Sequence, residues 1–153
     1  MRVLIIHLAA SYIVIWLVKQ WFSQRSYIGQ SGAYPNSMGA CQSTHYFELY
    51  VLGHPLTQLL IEIPDGICIN GEIAITYSLF DSIPQRMDVT SAITFDYATI
   101  CFPQPIPPGA MMLVSLQKVR SAERSSQTWL YPVYGRNDAM PFTFLGVARI
   151  RCW

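Results

Sequence analysis

Beyond residue 45 the chain alternates apolar with polar side chains. Leu59, Ile61 and Ile63 recur at every second position, and so do Ile73, Ile75, Tyr77 and Leu79, with Glu72, Ala74, Thr76 and Ser78 between them. A period of two sends alternate residues to opposite faces of a strand, so one face packs and the other is wet. The same pattern marks strands at 48–52, 57–63, 72–79, 89–95, 99–102, 112–116, 128–134 and 144–150. Short strands at this spacing predict an all-β domain over 44–153, an antiparallel β-sandwich of immunoglobulin-like or related type.

Punctuation between the strands sharpens the expectation. Asn70-Gly71, between Ile67-Cys68-Ile69 and the strand at 72–79, predicts a tight hairpin turn, because both residues tolerate positive φ. Pro103, Pro105, Pro107 and Pro108 remove backbone donors and hold φ near the polyproline value, so 103–109 reads as a stiff connection between two sheets. Residues 117–127 read as the longest exposed loop. Its cations Lys118, Arg120 and Arg124 are the candidate partner-contact residues.

Val3 to Val18 is apolar apart from His7 and Ser11, with Arg2 before it and Lys19 after it. A helix of that length spans about 24 Å, nearer to the apolar region of an export signal than to the roughly 30 Å hydrocarbon core. Extension to Trp21 and Phe22 gives a retained anchor with aromatic rings at the interface. The expected order is therefore a hydrophobic helix at 1–22, as signal peptide or anchor, a Ser-, Gly- and Gln-rich linker at 23–43, and the sandwich domain. Export to a periplasm, cell envelope or thylakoid lumen follows, with a membrane contact through the N-terminal segment if it is kept.

Charged residues make up 12% of the 153 residues and aromatic residues 13%, a balance that folds rather than staying disordered. Arg2, Lys19 and Arg25 belong to the N-terminal part, which leaves seven basic residues against nine acidic ones in the domain. That balance excludes nucleic acid as the expected partner, since phosphate binding needs a basic field.

Cys41, Cys68, Cys101 and Cys152 contain no Cys-x-x-Cys pair, and three disulfide pairings stay open; Cys68 and Cys101 equally suit small buried positions in strands. His45 and His54, nine apart, are the candidate metal ligands, with Met111 or Met112 completing a copper site. Glu62 and Glu72 are a possible carboxylate pair across the expected hairpin. Phosphate-loop, dinucleotide-binding and Gly-x-Ser-x-Gly patterns are absent from the sequence, and no cofactor is called for.

Five segments in order, Ile61 to Gly66, Phe102 to Gly109, Val119-Arg120, Trp129 to Tyr131 and Leu145 to Ala148, give the stretch from His45 to Trp153 a pattern that resembles the cyanobacterial domain-of-unknown-function family 2808. The resemblance implies an exported β domain and brings no catalytic residues with it. The chain departs from the family at Pro132, where an arginine is usual, at 96–98, and at Cys152-Trp153. A proline at 132 implies an edge strand or a bulge. The expected function is a non-catalytic, exported module that contacts an envelope or thylakoid protein. A metal-binding envelope protein is the alternative, and a small hydrolase stands third.

Overall fold

The computed structural model describes residues 25–36, 42–80, 82–122 and 126–153. Its elements are β1 (Tyr27–Tyr34), β2 (Ser43–Tyr50), β3 (Leu56–Glu62), β4 (Ile67–Ile69), β5 (Ile73–Leu79), β6 (Gln85–Met87), β7 (Thr90–Ile93), β8 (Tyr97–Ile106), β9 (Ala110–Ser121), β10 (Gln127–Arg136) and β11 (Thr143–Cys152). They form two antiparallel sheets. One runs β1-β2-β9-β5-β6 with β4 also on β9, and the other runs β11-β10-β3-β8-β7. The all-β, two-sheet expectation holds, and each of the eight expected strands overlaps an observed one.

Alternation builds the core. Phe47 and Leu49 of β2, Leu59 and Ile61 of β3, Ile75 of β5 and Ile100 of β8 are fully enclosed between the sheets. Each such side chain contributes on the order of 1.5–3 kcal/mol by leaving water. On β9 the buried positions run Ala110, Met112, Val114, Leu116 and then Val119, a change of parity. A bulge causes it: Ser43 lies opposite Val119 and His45 opposite Leu116, so three steps on β9 face two on β2. Lys118 accommodates the extra residue with φ of +53°.

That bulge overturns two expectations. Residues 117–127 are not one loop, because β9 continues to Ser121 and β10 begins at Gln127. Nor is Asn70-Gly71 a hairpin turn. β4 and β5 both pair antiparallel with β9, at Ile69 opposite Val119 and Ile73 opposite Leu116, so they are successive parts of one line kinked at 70–72. The backbone N–H groups of Asn70 and Gly71 donate to the carbonyls of Lys118 and Gln117. Glycine is needed for closeness rather than for a turn, since a Cβ at 71 would lie 2.6 Å from the Gln117 carbonyl oxygen.

The expected linker is corrected too. Tyr27–Tyr34 is a strand paired with β2, Gly32 lying opposite Tyr46. Its glycines admit aromatic rings from β2: a Cβ at Gly32 would meet the Tyr46 hydroxyl at 2.7 Å, and one at Gly29 would meet the Tyr50 ring at 2.6 Å. Tyr27 stacks on Tyr50 with ring centroids 4.9 Å apart. β1 also reaches the other sheet, where Ser31 Oγ donates to the Arg149 carbonyl at 2.7 Å, and the Trp153 N–H donates to the Asn36 carbonyl at 2.8 Å.

The proline-rich stretch does carry the chain from one sheet to the other, although β8 persists through Ile106 and the turn itself is 107–109. Pro132 sits in β10 opposite Val147 of β11, one residue before the pairing of β10 with β3 begins at Val133. On its β3 side the strand is locally unpaired there, which is where a residue without an N–H fits. No helix among the described residues is long and apolar enough to cross a membrane. The expected N-terminal helix and Cys41 lie outside the described residues.

Candidate functional site

The residues expected to carry contact or chemistry are dispersed. Lys118 and Arg120 are exposed on the outer side of β9, Lys118 at the bulge and Arg120 opposite Cys68. The start of the expected basic loop is thus the last part of an interior strand, because Val119 turns inward and pairs with Ser43 on one side and Ile69 on the other. Arg124 lies outside the described residues. Lys118 borders a shallow recess with Tyr34, Pro35 and Thr44.

His45 is near the start of β2 and only 2% exposed. Its Nδ1 lies 2.7 Å from the Tyr131 hydroxyl of the opposite sheet, with the rings edge to face at 89°, and its Nε2 lies 3.8 Å from Cys152 Sγ. Burial lowers the imidazole pKa to about 4 and raises those of the Tyr131 hydroxyl and the Cys152 thiol, so all three groups are neutral at pH 7. The tautomer that satisfies both contacts accepts from Tyr131 at Nδ1 and carries its proton at Nε2, facing the sulfur. A protonated, buried thiol is a poor nucleophile, and the bond between His45 and Tyr131 joins the two sheets.

His54 stands apart, exposed in the turn between β2 and β3. Met112 is buried opposite Leu49, while His45 is opposite Leu116, four residues further along β9 and roughly 13 Å away by strand rise. The structure does not bring the three together. Among the described residues no group of three or more His, Cys, Asp and Glu could hold a metal ion. Glu62 accepts a hydrogen bond from the Tyr134 hydroxyl at 3.1 Å on β3, whereas Glu72 is exposed at the β4–β5 kink in the other sheet. Cys68 is exposed, Cys101 half-buried and Cys152 buried, all as free thiols, which corrects the expectation of Cys68 as a buried residue.

An open strand margin is the most accessible feature. β7 is outermost in its sheet, and Thr90, Ser91, Ala92 and Ile93 are all exposed. The Thr94 N–H donates to the Tyr97 carbonyl at 2.7 Å, closing the turn at Phe95-Asp96. Hydrogen-bonded and non-bonded pairs alternate from there, so Ala92 and Thr90 bond inward to β8 while the N–H and C=O groups of Ser91 and Ile93 point outward. Phe95, 86% exposed, stands at the end of this strand. Phe80 and Ile83, 81% and 84% exposed, occupy the turn that precedes β6 on the same flank. Alternation located β7 at 89–95 but not its position at the margin. The available signal was composition, because Thr-Ser-Ala supplies no large inward side chain.

No family model and no curated protein matches the sequence. Among solved structures, the collagen-binding subdomain of the Enterococcus faecalis surface protein ACE superposes with a TM-score of 0.54 at 9% identity, covering 84% of this chain and 97% of that one. The collagen-binding domain of a Staphylococcus aureus adhesin gives 0.47 at 9% identity, over 84% of this chain and 98% of that one. At such identity the first likeness is one of fold, and the chain has the two-sheet architecture of a domain found in a bacterial surface protein.

Proposed function

We propose that the protein is a non-catalytic β-sandwich module that works outside the cytoplasm by protein–protein contact, receiving an extended segment of a partner along β7. The observation that carries this reading is the outer margin of β7, where among the described residues no strand pairs with the outward donors and acceptors of Ser91 and Ile93, beside the exposed Phe95 ring. An added strand satisfies those groups and gains its selectivity from alternate side chains. Export rests on the apolar run from Val3 to Val18 and on the resemblance to the cyanobacterial family, which also supports a cell envelope or thylakoid lumen as the setting. A domain of the same fold in Enterococcus faecalis is a collagen-binding one, so protein contact is a use this scaffold serves elsewhere; its ligand is not transferred here.

The test places a photo-crosslinking side chain at Ala92 of the full chain in its native cells. The expected result is a discrete protein adduct that Ser91→Pro abolishes without lowering the melting temperature, since that proline removes an outward donor only. Amide exchange should mirror it, with Ser91 and Ile93 of the unsubstituted chain protected only in the complex. An adduct unaffected by the proline, or none at all, overturns β7 as the contact edge.

A further inference from the structure

A cavity of about 440 Å³ opens at the end of the sandwich where β2 turns into β3 and β10 turns into β11. Leu52, Leu56, Met140, Phe144 and Leu145 give it an apolar wall. Arg25 and Arg136 supply positive charge, and no carboxylate side chain is among its described lining residues. The volume lies within the range of small-molecule sites.

Arg136 distinguishes this cavity from an incidental cleft. It is the last residue of β10, half-buried, with its guanidinium 5.1 Å from the centre of the Phe142 ring. Its Nε is buried and has no hydrogen-bond partner in the protein. A desolvated guanidinium N–H without an acceptor is rare in folded proteins, and the side chain that carries it lines the cavity. Gly135, next to it in β10, lets two lining leucines approach the backbone: a Cβ there would lie 2.8 Å from Leu145 Cδ1 and 3.0 Å from Leu56 Cδ2. The lining therefore combines a planar cationic fork with aliphatic and aromatic side chains.

We propose that this cavity binds a small monocarboxylate with an apolar body, Arg136 holding the carboxylate and Leu56, Phe144 and Leu145 enclosing the tail. Arg136 matches the two carboxylate oxygens in one plane, which a lysine cannot do. The tail contributes by leaving water, and with no carboxylate among the described lining residues such a ligand meets no like charge from them.

Calorimetric titration of the full chain with octanoate, octanol and acetate separates these contributions. Saturable one-to-one binding of octanoate is expected, with octanol and acetate each at least tenfold weaker because one lacks the charge and the other the tail. Arg136→Gln should weaken octanoate at least tenfold, and Arg136→Lys should recover only part of the loss. Leu145→Trp, which fills the cavity and leaves the charge in place, should abolish binding, and unchanged melting temperatures establish that the variants fold. Equal binding of octanoate and octanol, octanoate binding that survives both Arg136→Gln and Leu145→Trp, or no saturable binding overturns the proposal. The β7 crosslink is unaffected by any of these outcomes.

Discussion

His45 of β2 and Tyr131 of β10 are joined through the middle of the sandwich by a hydrogen bond of 2.7 Å between Nδ1 and the phenol oxygen. One sheet contributes each partner, so the bond fixes the sheets' relative position in a core where most other contacts are non-directional.

Acid should loosen the domain before its carboxylates titrate fully. The unfolded chain takes up a proton on His45 below pH 6.5, whereas burial holds the folded pKa at about 4. The unfolded state therefore binds more protons throughout that interval, and stability falls as pH drops from 6.5 toward 4, by about 3 kcal/mol in all. Urea unfolding at a series of pH values measures the slope. His45→Leu should flatten it in this window.

Tyr131→Phe keeps the ring and removes the hydroxyl, leaving a buried imidazole nitrogen without its partner. A loss of about 1–3 kcal/mol is expected from the denaturation midpoint at pH 7, with the slope m unchanged.

The kink between β4 and β5 predicts opposite outcomes at neighbouring sites. Gly71→Ala drives a Cβ against the Gln117 carbonyl, which the sheet holds in place, and should lower stability by about 1–3 kcal/mol. Lys118→Gly should leave the melting temperature unchanged or raise it, because φ of +53° costs a lysine about 1–2 kcal/mol that glycine does not incur. A clear drop for Lys118→Gly would remove the bulge from the account.

Alkylation ranks the thiols. Iodoacetamide should label exposed Cys68 in the native protein, and buried Cys152 only on unfolding, since desolvation raises its pKa. Peptide mass spectrometry of native and denatured samples reads the order.

The strands with an uninterrupted period were legible in the sequence: Leu59, Ile61 and Ile63, and Ile73 and Ile75, are buried as their alternation implies. What escaped was set by contacts distant along the chain. Gly29 and Gly32 resemble linker residues until Tyr46 and Tyr50 lie across them. Val119 belongs to a strand only because Ser43 and Ile69 flank it, and a parity change after Leu116 hides that from any periodic reading. Arg136 gave no local signal at all, since its neighbours in the cavity come from segments some eighty residues away in β3 and the turn before it as well as from the chain just beyond it.

The hydrogen bonds from Ser31 to Arg149 and from Trp153 to Asn36 tie the two sheets together at one flank of the sandwich, while β6 and β7 are the outermost described strands at the other. With β1 tied to β11, the described strands open to pairing lie together on that opposite flank, so a guest strand approaches the sandwich from one side.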